Sequence, residues 1–384
     1  MKNKKKKRIA IVINRIYDIP NKAVYQRTKY LSDKFDIYIL TRYNVPPSIS
    51  NKVKGVKICP GKAYGLDRII FLFWVVYNTI RLETSVVYTV FSYNNLILVS
   101  GYFCKIIGKT WIADILDDPA LGINKRTVGF RYNLGSVWQK FLYEINKQTL
   151  KFADAIVILK GMKETVTGFN INESKFIEIT NGVNLITDPK KIKEDQACDF
   201  NVVYVGLLAR NRGISTIIKA VELIKNIDCN IKLIGEFAST EEEVFLTDMV
   251  NKYNLNKRIT FTGYIPHNEV LELINSASVC LYPFPSLSEL EHVSPIKVFE
   301  YMAFGKPVIA TNLSGVRIII EDLYNGILID PEDEQQLANA IRELKEDIDL
   351  RKQLGQNAFE SVKHYSWENI NSEIVCRLNE LKLL

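Results

Sequence analysis

Histidine is scarce in this chain. The three present, His267, His292 and His364, all lie in the second half. No Ser-His-Asp set and no zinc-ligand spacing can be read from them, which excludes triad hydrolysis and zinc chemistry. Paired cysteines are missing too. The six (Cys59, Cys104, Cys198, Cys229, Cys280, Cys376) show no C-x-x-C spacing and mostly sit in apolar runs. Reduced thiols in a cytoplasmic protein are expected, without disulfides. No G-x-G-x-x-G follows the first apolar run, which removes the main support for a dinucleotide oxidoreductase. Gly108-Lys109-Thr110 resembles the end of a phosphate loop, but Phe103 stands where that loop needs glycine. The most apolar segment, Ile69 to Ile80, is about twelve residues long, short of the roughly 20 that span a bilayer. It reads as a buried helix or as one lying on a membrane surface. The basic run Lys2–Arg8 is followed by too short an apolar stretch for a secretory signal. No nucleic-acid motif accompanies the basic residues, so nucleic acid is not expected as a partner.

What is present is an ordinary globular composition, 47% hydrophobic and 24% charged, over a length that allows two to three domains. The charge is divided. Residues 1–190 hold 30 Lys+Arg and 14 Asp+Glu, net +16. The remainder holds 50−30 = 20 against 43−14 = 29, net −9. A basic half joined to an acidic half predicts that the first faces an anionic partner such as a membrane leaflet or a lipid phosphate.

Strand and helix patterns alternate twice along the chain. In the first half, apolar β-rich runs stand at 9–13, 37–41, 85–90, 111–116 and 155–159, with a helix around 22–34. In the second they recur at 200–206, 231–235, 259–263, 279–282, 308–311 and 326–329, with helices such as 214–225 and 268–276. Short apolar runs separated by helices predict parallel sheets covered on both faces. The polar stretch Leu185–Asp199 reads as a linker. The expected organisation is a basic acceptor-side domain over 1–187, a linker over 188–199 and a second domain over 200–366. A C-terminal helix over 367–384 is free to pack back on the first domain. Each domain is expected to be a doubly wound, Rossmann-like α/β sheet, the two facing a central cleft, because ligands bind beyond the carboxyl ends of such strands.

The stretch from Ser294 to Thr311 carries the most chemistry. Ser294 suits an N-cap and Pro295 a first helical position; Gly305 and Pro307 end the helix ahead of the strand Val308–Thr311. A helix start with free N–H groups attracts phosphate, and Glu300 beyond it can accept from sugar hydroxyls, so the pair describes a nucleotide site. Gly206 ends a strand, and the loop to Gly213 carries Arg210 and Arg212, two guanidiniums able to grip a diphosphate. Asp114, Asp117 and Asp118 end a strand in the basic half; any of them could orient an acceptor hydroxyl, with Asp117 placed first. His292 and Glu291 precede the helix. Asn181-Gly182 forms a turn near the linker. Asp347-Ile-Asp349 has a metal-binding look but lies in a charged helical stretch, and no metal is expected.

These residues resemble the retaining glycosyltransferase family 4 of the two-domain GT-B type. The likeness rests on Tyr204–Gly213 and Pro295–Val308, supported by Ala153–Ile158, Asn181–Asn184, Phe261–Gly263 and Tyr365–Trp367. The resemblance implies a nucleotide-diphosphate sugar donor, UDP- or GDP-linked, held without metal or other cofactor in the second domain. It implies transfer with retained configuration to a glycan or lipid-linked acceptor in cell-surface polysaccharide or glycolipid synthesis. Glu300 then binds the ribose, backbone N–H groups near Ile296 and Lys297 hold the diphosphate, and Arg212 meets charge on the leaving phosphate; Gly206, Arg210, Ser294 and Pro295 complete the nucleotide-sugar-binding set. A location in the cytoplasm, peripheral on the inner face of the membrane, follows. His292 departs from the pattern, standing where the family has the first glutamate of Glu-x7-Glu, with Glu291 beside it able to slip in. The N-domain histidine of many members has no counterpart, and Asp117 occupies roughly its place. The glycine-poor loop after the first strand is a further departure. A same-fold epimerase or a nucleotide-sugar-binding protein without activity are the competing readings.

Overall fold

The computed structural model describes residues 6–14, 22–61, 67–91, 96–116, 141, 144–162, 170–186, 200–287, 291 and 294–384. The chain divides into two units, one formed by Met1–Asn181 with Trp367–Leu384, the other by Gly182–Ser366. The first unit ends ahead of the expected 187. The reason is local: the N–H of Val183 donates to the Tyr365 carbonyl (3.0 Å), and Val183 bridges to Ser366. The stretch after Asn181 is thereby part of the second unit. Most of the expected linker lies outside the described residues.

The first unit holds seven strands: β1 (Arg8–Val12), β2 (Asp36–Thr41), β3 (Gly55–Ile58), β4 (Val86–Phe91), β5 (Thr110–Ile115), β6 (Ala155–Leu159) and β7 (Phe176–Ile179). They pair in the order β3-β2-β1-β4-β5-β6-β7, parallel throughout. Successive side chains serve opposite faces of this sheet. Ile9 and Ile11 join one core with Ile370, Ile374 and Leu378 of the C-terminal helix Trp367–Glu380. Ala10 and Val12 join the other, with Phe71 and Val75 of the helix Asp67–Arg81 and Ile97 and Cys104 of the helix Ile97–Ile106. A period of two on a doubly covered strand gives a continuous apolar run, which is why the runs were legible. Gly101 lets the helix Ile97–Ile106 approach the sheet: a Cβ there would stand 2.1 Å from the Trp111 indole nitrogen.

A buried polar pin joins the C-terminal helix to this sheet. Arg27, on the helix Ala23–Lys34, pairs with Asp114 at the end of β5; the two side chains are 4% and 1% exposed. The Tyr88 hydroxyl donates to Asp114 (3.0 Å), and Arg27 Nε donates to Asn371 of the C-terminal helix (3.4 Å). Burial works against the Arg27 charge, but Asp114 and Tyr88 outweigh it and hold the guanidinium above its ordinary range.

The second unit holds six strands: β8 (Asn201–Val205), β9 (Asn230–Ile234), β10 (Ile259–Phe261), β11 (Val279–Tyr282), β12 (Val308–Thr311) and β13 (Ile327–Ile329). Their order is β10-β9-β8-β11-β12-β13, again parallel. The order reverses between β8 and β11, where Val279 pairs with Val202 and Leu281 with Tyr204. At such a reversal the following connections leave on opposite faces and open a crevice at the carboxyl ends. The strands β3 and β7 were not expected from sequence. Both are four-residue edge strands, with Lys57 and Glu178 interrupting the apolar pattern.

Candidate nucleotide-sugar site at the carboxyl end of β8

The crevice of the second unit is built from the loops after β8 and β11. The β8 loop begins at Gly206, whose N–H donates to the Ile234 carbonyl (2.9 Å), and runs beside the segment after β9. It ends at Gly213, which has φ +77° and precedes the helix Ile214–Leu223. A Cβ at Gly213 would fall 1.7 Å from the Pro283 carbonyl oxygen, so only glycine lets the loops after β8 and β11 meet. Between them, Arg210–Arg212 form one 3-10 turn.

The two arginines of that turn go to different partners. Arg210 donates through Nε to Glu242 Oε1 (3.0 Å) and through its backbone N–H to Oε2 (2.9 Å), with its guanidinium 4.5 Å from the Phe245 ring. It is committed to the neighbouring helix Thr240–Lys252, and the expected double grip on a diphosphate is reduced to Arg212. Arg212 is half-buried, its guanidinium 5.0 Å from the Phe284 ring at the end of β11. Among the described residues, no carboxylate pairs with it. The Tyr282 and Phe284 rings stack at 4.0 Å beneath.

The helix that follows β11 spans Ile296–Ala303, eight residues and little more than two turns. Pro295, with φ −80° and ψ 105°, occupies the N-cap position, so Ser294 is not the cap expected from sequence. Ser294 is buried. Among the described residues, the backbone N–H groups of Ile296 and Lys297 have no protein acceptor. They are the orphan donors of the helix start, where the dipole favours an anion. Tyr301 anchors the helix to the sheet: its hydroxyl accepts from the N–H of Val205 at the end of β8 (2.9 Å). Burial holds that phenol well above its usual range, so it stays neutral. Gly305 closes the helix at φ +63°.

Glu300 lies one turn into this helix and is 3% exposed. Lys297 Nζ donates to its Oε2 (2.7 Å), and His267 Nε2 stands 3.9 Å from its Oε1. His267 was passed over in the sequence, though a signal was there: it follows the carboxyl end of β10, on the ligand-binding end of the same sheet. Glu291, next to the position of the missing motif glutamate, is tied to the start of the helix Ser314–Arg317. Its carboxylate accepts from the N–H of Ser314 (2.9 Å), and its carbonyl from the Ser314 hydroxyl (2.7 Å). In the first unit, Asp114 is buried, and its Oδ2 is engaged by Arg27 and Tyr88. Asp117 and His292 lie outside the described residues. Asp347 caps the helix Ile348–Val362 by accepting from Leu350, a structural role.

The two parallel-sheet α/β units have the GT-B fold, shared with solved glycosyltransferase structures. Residues 187–361, within the second unit, match the family model "Glycosyl transferases group 1". The chain is similar to the uncharacterized glycosyltransferase MJ1178 of Methanocaldococcus jannaschii, 34% identical over 51% of each chain. It therefore spans about half the length of that relative. The uncharacterized glycosyltransferase MJ1069 of the same organism is 26% identical over 94% of this chain and 96% of its own. Among solved structures, Anabaena HepE in complex with UDP and glucose superposes with a TM-score of 0.69, at 16% identity, covering 97% of this chain and 99% of that one.

Proposed function

We propose that the chain is a retaining glycosyltransferase of family 4, moving a sugar from a UDP- or GDP-linked donor to a glycan or lipid-linked acceptor. The observation that carries this reading is the buried Glu300 on a helix whose first N–H groups are unpaired. A diphosphate on the N–H groups of Ile296 and Lys297 sets the ribose hydroxyls within reach of that carboxylate. As the bond from sugar carbon to diphosphate oxygen breaks, negative charge grows on the leaving phosphate, and Arg212 is placed to meet it. Because a guanidinium and backbone donors supply that charge, we assign no metal to the step. The UDP in the Anabaena structure supports a nucleotide donor, with uridine as the first choice. The net +16 of the first 190 residues supports an anionic acceptor, such as a lipid-linked phosphate in cell-surface glycan synthesis.

The test is a panel of UDP-, GDP-, ADP- and CMP-sugars, scored for thermal stabilisation and for nucleotide release with membrane extract as acceptor source. One donor is expected both to stabilise and to be consumed, with the product anomer matching the donor. Stabilisation without release would make the chain a binding protein and overturn the enzymatic reading.

A further inference from the structure

Arg210 and Arg212 share one turn, and each guanidinium lies over an aromatic ring, 4.5 Å from Phe245 and 5.0 Å from Phe284. Their settings differ in one respect. Arg210 is also tied to Glu242 through Nε and its backbone N–H, whereas the Arg212 guanidinium has neither a hydrogen bond nor an ion pair among the described residues. The face of Phe284 is what orients it. That ring is itself fixed: Tyr282 stacks on it with centroids 4.0 Å apart and planes 17° from parallel, and both rings are buried. The two loops are locked together one residue further on. Gly213, next to Arg212, meets Pro283, next to Phe284, so closely that a Cβ would fall 1.7 Å from the Pro283 carbonyl oxygen. Backbone contact therefore sets the guanidinium against the ring.

The surroundings of Arg212 are uncharged as well as aromatic. Burial pushes the Tyr204 and Tyr282 phenols up, and the Arg212 charge draws each back only in part, so both stay neutral. A full positive charge thus stands against an apolar wall, where its attraction for a nearby anion is screened less than in water. A carboxylate partner would hold the arginine as firmly, but it would neutralise the cation and occupy the N–H groups that a phosphate needs. An aromatic face attracts the same cation through its quadrupole and takes none of its five donors. We infer that Phe284 is a positioning residue for sugar transfer, holding the Arg212 guanidinium unpaired and aimed in advance at the leaving phosphate. The inference rests on the donor site proposed above and deepens it: Arg212 meets the phosphate, and Phe284 acts through Arg212.

The experiment replaces Phe284 in the full chain by phenylalanines carrying one, two and three ring fluorines, which drain the negative face of the ring while changing its volume little. Calorimetry gives the Kd for UDP and for GDP, probes that carry the leaving phosphate, and steady-state rates give kcat with the donor consumed. The trifluorinated ring should weaken nucleoside-diphosphate binding and lower kcat by about 3- to 30-fold, in graded steps from one fluorine to three, with the melting temperature unchanged. Phe284→Leu, which keeps an apolar side chain but no ring face, should fall with it. In an Arg212→Ala background the same fluorine series should leave the Kd flat, because the ring then has no cation to hold. A series that is flat with Arg212 present, or that falls equally with and without it, overturns the inference and leaves Phe284 as core filling. A wild type that binds neither UDP nor GDP overturns the donor site itself, and this inference with it.

Discussion

Replacing Glu300 by alanine removes a carboxylate that is 3% exposed, from a helix fixed to the sheet by Tyr301. In the proposed complex its two oxygens accept from the two ribose hydroxyls. Hydrogen bonds to a charged acceptor contribute about 1.5–3 kcal/mol each. Against them stands the Lys297 pair, which must be released from Oε2. That lysine side chain is 32% exposed, and a pair so placed is worth about 0–1 kcal/mol. The net loss on truncation is therefore roughly 2–6 kcal/mol, about 30-fold to 10⁴-fold in kcat/KM for the donor. The assay varies donor concentration at saturating acceptor for wild type and Glu300→Ala, each with the normal donor and with one lacking the ribose 2′ and 3′ hydroxyls. If the carboxylate holds the ribose, the two losses are non-additive, because each removes one side of the same contact. Lys297→Met should lose far less, since it keeps the carboxylate itself. A Glu300→Ala enzyme within about threefold of wild type, or fully additive losses, refutes the ribose contact.

Arg212→Ala should lower turnover by about 10²-fold or more, while Arg210→Ala, which breaks a pair with Glu242, should chiefly soften the loop and change turnover by less than about tenfold; steady-state rates decide. Gly213→Ala forces a left-handed residue and a clash with the Pro283 carbonyl, so thermal unfolding should show a loss of at least about 1–3 kcal/mol together with weakened nucleotide binding. Arg27→Met alone strands Asp114 and should cost about 3–5 kcal/mol in urea unfolding, whereas Arg27→Met/Asp114→Leu should recover much of it. Burial raises the Cys104 thiol from 9.0 to about 11, opposed by the Thr79 hydroxyl and Lys109. The folded chain therefore holds a proton that the unfolded chain releases, and the stability this thiol contributes is complete below pH 9 and is lost between 9 and about 11. Unfolding curves for Cys104→Ala should fall less steeply over that window.

The strands were legible because burial on both sheet faces leaves no polar period; the expected 155–159, 279–282 and 308–311 match β6, β11 and β12 residue for residue. The edge strands β3 and β7 of the first sheet were not, since Lys57 and Glu178 interrupt their short apolar runs. At the site, Glu300 and Gly305 could be read from local rules of helix start and stop. The fate of Arg210 could not, because its partner Glu242 lies 32 residues away on the next helix but one strand. His267 beside Glu300 depends on β10 and the helix Ile296–Ala303 belonging to one sheet end, a tertiary fact.

The C-terminal helix makes the first unit discontinuous. Ile370, Ile374 and Leu378 complete a core begun at Ile9, and Asn371 receives Arg27. A ribosome delivers those residues after the whole of Gly182–Ser366 has emerged. The usual order of synthesis, in which the leading domain matures first, is thus inverted. The later unit has every strand it needs before the earlier one can close, and the nascent first unit must wait with the site of its last helix uncovered. Shortening the chain at its far end would therefore be felt first at its beginning.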